Sequence, residues 1–137
     1  MSDRPQSLPD EADRWSAAER EIAESVLAGH AAVVNVRKSG PHQRLVPWLV
    51  RHDLISYVGH AGPRHSWPES GFANPFVREA KQDRQAMVQH YREYLARQPD
   101  LLRRLRAGEL DGRALGCWCA PKPCHADVLL EYLEADR

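Results

Sequence analysis

The stretch Gly116-Cys117-Trp118-Cys119-Ala120-Pro121-Lys122-Pro123-Cys124-His125-Ala126-Asp127 carries all three cysteines of the chain. Its order implies a strand, a tight turn and a helix in succession. Arg113 to Cys119 reads as the strand. Side chains alternate between the two faces of a strand, so Leu115, Cys117 and Cys119 share one face and Trp118 takes the other. Pro121 and Pro123 end the strand and turn the chain. Cys124 and His125 then open a helix, because Val128, Leu129, Tyr132 and Leu133 recur at helical spacing. Two thiols at a strand's carboxyl end therefore meet a third thiol and an imidazole at a helix N-terminus. Open α/β folds hold ligands at junctions of this kind.

Upstream of this stretch the hydrophobic pattern switches between strand and helix. Ala31 to Val36 is apolar and β-branched and reads as the first strand; Leu54 to Val58 reads as the second. Between them Gly40-Pro41 marks a turn, and Leu45 to Val50 suits a short helix with Pro47 in its first turn. Val77 to Gln98 reads as one long helix with an apolar stripe of Ala80, Met87, Val88, Tyr91, Tyr94 and Leu95. Pro99 begins another, with Leu101, Leu102 and Leu105 facing inward and Gly108 as its stop. The expected fold is α/β: a single compact domain with a small, mainly parallel sheet flanked by helices, and an extra acidic N-terminal helix.

That helix is expected from Asp10 to about Ala28, with Gly29 ending it and Trp15, Ala18, Ile22 and Val26 on one face. Residues 1–9 read as a loose tail. Residues 1–29 thus form a tail and acidic helix, and 30–137 the α/β domain. Residues 1–28 hold seven acidic and three basic residues, a net of −4, against sixteen basic and twelve acidic in the remainder, a net of +4. The acidic face is either simply solvated or is a homodimer arm contacting the basic remainder.

The chain has 137 residues, a formal net charge of +0, 42% hydrophobic and 28% charged residues, as in ordinary soluble domains. Whole-molecule attraction to nucleic acid or to a membrane surface is not indicated. No apolar run reaches the ~18 residues that span a bilayer, and Met1 to Pro5 lacks the basic start and apolar core of a signal peptide. The expected location is cytoplasmic. Three clustered cysteines in a reducing compartment argue for metal or thiol chemistry over a disulfide framework.

Gly59 to Phe76 is a long loop with three glycines, three prolines, His60, Arg64, His65 and Asn74. Loops of this length in compact domains are usually functional or disordered, and Trp67, Phe72 and Phe76 give this one apolar anchors. The loop should therefore be ordered and border the cysteines. It has no Walker or dinucleotide glycine pattern, although Arg64 and loop amides suit a phosphate. Asn35 inside the first strand needs hydrogen-bond partners; it is either a structural amide or a substrate contact. Arg97, Arg103, Arg104 and Arg106 make a small basic patch, a solvated face or a nucleic-acid surface.

The cysteine cluster admits three readings. Cys117, Cys119, Cys124 and His125 form a known donor set for structural zinc, although adjacent Cys124 and His125 point ~100° apart at a helix start. An iron–sulfur cluster is less favoured, since the spacing matches no ferredoxin run. Alternatively, Cys124 is a nucleophile made acidic by the helix dipole, with His125 as its base and Cys117 or Cys119 as resolving thiols. Or Cys117 and Cys119 are buried core residues.

Several segments together resemble the family called domain of unknown function four-three-two-six. They are Val34-Asn35-Val36, Tyr57-Val58-Gly59-His60, Ala73-Asn74-Pro75-Phe76, Tyr91-Arg92-Glu93-Tyr94-Leu95, Leu110-Asp111-Gly112-Arg113 and Cys117 to Leu129. The last is the most specific. The resemblance spans about residues 33 to 133 and implies a compact α/β domain, with no reaction attached; the acidic helix lies outside it.

The functional expectation is a small enzyme, a thiol- or metal-dependent hydrolase or transferase, acting on a nucleotide, nucleoside or similar polar metabolite. Cys124, His125 and Cys119 would be catalytic. Arg37 or Arg64 would hold an anionic group, with Asn35, His60 and Asn74 completing the substrate site. The competing expectation is a zinc-stabilised, non-enzymatic module that binds protein or nucleic acid through the Arg97–Arg106 patch.

Overall fold

β3 (Ala114–Cys117) is the central strand of a three-stranded sheet, flanked by β1 (Ala32–Asn35) and β2 (Ile55–Tyr57). Both neighbours run parallel to it, with Asn35 opposite Cys117 and Tyr57 opposite Gly116. The computed structural model describes residues 4–135 of the chain. All four residues of β3 are buried, which suits a strand covered on both faces. Its alternation splits the core in two. Ala114 joins Val34 in a cluster with Trp15, Ala23, Val26, Trp48 and Leu49. Leu115 and Cys117 join Tyr91, Leu95, Leu105 and Leu129 on the opposite side.

Helices α1 (Ala17–Leu27) and α2 (Val46–Arg51) cover the first face. α4 (Arg84–Ala96), α5 (Pro99–Arg106) and α6 (His125–Ala135) cover the second, and α3 (Val77–Ala80) leads into α4. The result is a three-layer α/β domain, as the hydrophobic pattern implies. No helix among the described residues is long and apolar enough to cross a membrane.

Four local expectations change. The N-terminal helix is not continuous: a 3-10 helix at Asp10–Arg14 ends at Trp15, which is extended, and Ser16 starts α1 anew. Ser16 and Glu19 form a reciprocal capping box, and Trp15 packs edge-on against Trp48 with ring centroids 5.5 Å apart. Gly29 ends α1 at φ +92°, a conformation that favours glycine. The long helix of 77–98 is likewise two. The Asp83 carboxylate accepts the Ala86 N–H and starts α4 after a break at Lys81–Asp83. The N-cap carboxylate satisfies one of the N–H groups that the break leaves free.

The tail is also pinned. Arg4 Nη1 donates to the Val26 carbonyl at 2.6 Å, and Leu8 packs on the Trp15–Trp48 cluster. Met1 to Asp3, the rest of that expected tail, lie outside the described residues. Glu19, on the acidic helix, is buried rather than solvated. Its carboxylate accepts the backbone N–H groups of Ser16, Arg44 and Leu45, each at 2.9 Å. It thereby ties α1 to the segment that enters α2.

Candidate functional site

The three parallel strands end at one level, and the chain leaving each contributes to a pocket of about 410 Å³. Arg37 comes from the end of β1, Tyr57, Gly59 and His60 from β2, and Cys117, Trp118 and Cys119 from β3. Lys81, Arg84 and Met87 close it from the α3–α4 region, and His65 and Asn74 from the long loop. The loop is anchored as its aromatics require. Phe72 is buried, its carbonyl accepts the Tyr91 hydroxyl at 2.7 Å, and Trp67 stacks on Tyr57 at 5.3 Å. Close approach explains Gly59: a Cβ there would lie 2.6 Å from the Tyr57 Oη.

The turn after β3 is held by Asn35. Its Nδ2 donates to the Ala120 carbonyl at 2.7 Å, and its Oδ1 accepts the Arg37 N–H at 2.9 Å. The buried Asn35 amide thus bonds the turn that presents Cys119. Asn74 lines the pocket, with its Oδ1 accepting the Phe76 N–H. Helix α6 begins where the two prolines and the helical spacing place it. Asp127 Oδ2 accepts the Cys124 N–H at 2.9 Å, and burial raises the Asp127 pKa.

Cys124 is fully buried, with its Sγ 3.4 Å from His125 Nδ1. His125 Nε2 lies 2.6 Å from the Val58 carbonyl, which can only accept, so Nε2 carries the proton and donates. Nδ1 is then an acceptor, and the Cys124 S–H is the group that can donate to it. Burial, first of all, pushes His125 down to about 4, so it is neutral. The neighbouring Cys117 and Cys119 sulfurs, followed by burial, push Cys124 up. At Cys124, where the helix start suggested an acidic thiol, two nearby sulfurs and a dry site oppose the helix dipole.

The lowering falls on its partners. Cys119 is only half-buried and opens into the pocket; the Cys124 thiol, then Arg84 and Arg37, pull it down to about 6. Cys117 is lowered too, chiefly by the Cys124 thiol and then by the backbone N–H groups of Cys119 and Ala120, but it is buried in the core. Among the described residues no three of His, Cys, Asp or Glu are grouped to hold a metal ion. Cys117, Cys119, Cys124 and His125 are neighbours without forming such a group, and both His125 nitrogens are engaged.

His60 faces acceptors on both sides, Glu69 Oε2 at 2.8 Å and the Asn74 carbonyl at 2.6 Å. Only the imidazolium donates to both. The Asn74 carbonyl, then Glu69, accordingly raise its pKa. Arg64 does not line the main pocket. It sits in a neighbouring cavity with Arg37, Lys38 and Trp67, because the loop carries it past the His65–Trp118 wall. In the basic patch, Arg103 pairs with Asp100 at 3.0 Å, and Arg104 pairs with Glu109 while covering the Phe72 ring.

Sequence reading passes over Tyr57, His65, Lys81, Arg84 and Trp118 as site residues. Trp118 Nε1 donates to the Tyr57 hydroxyl at 2.6 Å, and His65 lies 4.8 Å from the Trp118 ring. The alternation expected over Arg113 to Cys119 already turned Trp118 away from the core side; nothing in the local pattern marked Arg84, which looks like any exposed helix cation.

A family model described as a domain of unknown function, DUF4326, matches residues 34–135. The chain belongs to this family. The DUF4326 match begins inside β1 and takes in the whole cysteine turn and all of α6. Over 38 residues the chain is 45% identical to an uncharacterized 12.4 kDa protein from the nrdA-td intergenic region of Enterobacteria phage T4. That similarity covers 22% of this chain and 35% of the phage protein, about a third of its length. No solved structure matches the chain significantly.

Proposed function

We propose that this protein is a small thiol-dependent hydrolase or transferase acting on a nucleotide, nucleoside or similar polar metabolite. The observation that carries the reading is the pocket at the strands' carboxyl ends. It brings the Cys119 sulfur together with Arg37, Lys81 and Arg84 and with the rings of Tyr57, His65 and Trp118, and among the described residues no carboxylate lines it. Cations suit an anionic substituent and the rings suit a planar one. Cys119, rather than Cys124, is the nucleophile in this reading: it is the half-buried thiol, and its thiolate form is favoured near neutral pH. Its sulfur bonds to the electrophilic centre as the bond to the leaving group breaks. Water or an acceptor then releases the intermediate. Cys124 holds its proton, and its one S–H steadies the Cys119 thiolate when it turns from the acceptor that neutral His125 offers at Nδ1.

The test combines binding with trapping. Trp67 and Trp118 border the site, so nucleoside and nucleoside monophosphate titrations are followed by intrinsic fluorescence on wild type, Arg84→Ala and Cys119→Ser. Saturable binding that Arg84→Ala weakens at least tenfold is expected, with a substrate-derived mass adduct on Cys119. Absence of any saturable binding, or an adduct that survives Cys119→Ser, would sink the proposal.

A further inference from the structure

A second cavity, of about 280 Å³, adjoins the main pocket. Arg37, His65 and Trp118 line both, so the two cavities share a wall. The second is completed by Val36, Lys38, Ser39, Arg64, Ser66 and Trp67. Three cations and two hydroxyls thus surround it, and among the described residues no carboxylate does. Arg37, Lys38 and Arg64 form no ion pair among the described residues, whereas Arg51, Arg92, Arg104 and Arg113 each have a carboxylate partner. Cations left without carboxylates around a concave site form a strong anion-binding surface, since no carboxylate competes with an arriving anion. The cavity lies just below the ~300–1,000 Å³ typical of a whole-ligand pocket, so it fits a substituent better than a complete metabolite.

We infer that this cavity is an anion subsite taking the phosphate chain of a nucleoside polyphosphate, whose reacting end lies beside Cys119. Arg37 stands at the junction and contacts the first phosphate; Lys38 and Arg64 hold the outer ones. The Ser39 and Ser66 hydroxyls supply the remaining donors. This inference rests on the nucleotide reading of the main pocket and narrows it to substrates bearing more than one phosphate.

The experiment compares the mono-, di- and triphosphates of adenosine and uridine, with inorganic tripolyphosphate as a competitor, by fluorescence titration at fixed ionic strength. Wild type should bind at least one triphosphate tenfold or more tightly than its monophosphate, and tripolyphosphate should compete. The double variant Lys38→Gln, Arg64→Gln should reduce that ratio to less than threefold while leaving monophosphate affinity unchanged. Both side chains are exposed, so the fold should tolerate the change, which an unaltered thermal midpoint verifies. Equal affinity of wild type for mono- and triphosphates, or a ratio that survives the double variant, overturns the subsite and leaves the main-pocket reading standing. Failure of every nucleotide to bind overturns both.

Discussion

Asn35 Nδ2 donates to the Ala120 carbonyl across 85 positions of sequence, at 2.7 Å, joining the end of β1 to the turn that presents Cys119. The same side chain caps the Arg37 N–H, so one buried amide positions a cation and the thiol beside it. Asn35→Ala leaves a carbonyl and an N–H without their partner, and should destabilise the fold by about 2–3 kcal/mol. Urea denaturation measures this. A loss below about 0.5 kcal/mol, the scale of surface substitutions, would show that the turn holds itself.

Thiol ionisation separates Cys119 from Cys124. Iodoacetamide should label Cys119 with a pH midpoint near 6, and Arg84→Ala should move the midpoint upward. Cys124 should remain unlabelled until global unfolding, because it is fully buried and its pKa is raised. Peptide mass mapping across a pH series reads both sites. Labelling that begins at Cys124 would reverse the assignment of the nucleophile.

His125 makes stability depend on pH with a definite sign. Its folded pKa, about 4, lies below the ordinary 6.5, so the unfolded chain binds the proton first. Stability from this group is present above pH 6.5 and is lost as pH falls toward 4, by on the order of 3 kcal/mol. His42, lowered by burial, acts in the same direction. The raised His60 acts oppositely: its contribution is present below pH 6.5 and fades as pH rises through its folded pKa. Urea midpoints at pH 7, 6 and 5 should fall in wild type and fall less steeply in His125→Gln. Parallel slopes would remove His125 as the source.

Glu19 should be the most sensitive acidic residue of α1. Three backbone N–H groups depend on its carboxylate, so Glu19→Ala should cost about 3 kcal/mol or more, and Glu19→Gln less, since one carbonyl oxygen remains. Glu21 and Glu24, on the same helix, should change stability by less than about 0.5 kcal/mol when replaced by alanine. Thermal unfolding of the three alanine variants gives the comparison. Equal effects would mean that charge, not these bonds, fixes α1.

The three strands, the helix after the cysteine turn and the division of β3 between two faces were legible locally, although β3 stops at Cys117 and leaves Cys119, expected at its end, in the turn. They depend on side-chain period, on Pro121 and Pro123, and on Gly29, features that act within a few residues. The helix breaks at Trp15–Ser16 and Lys81–Asp83 were not, because Ser16 and Asp83 are ordinary polar residues until the packing of Trp15 and the turn before α4 make capping better than continuation. The cysteine stretch announced a site, and its chemistry depended on neighbours the local pattern does not bring in. Arg84 and Arg37 reach Cys119 from other elements, and Val58 sets the tautomer of His125 from 67 positions away. Proton positions are governed by burial and by distances between remote groups. These arise only once the sheet closes, so the helix start alone does not decide which thiol keeps its proton.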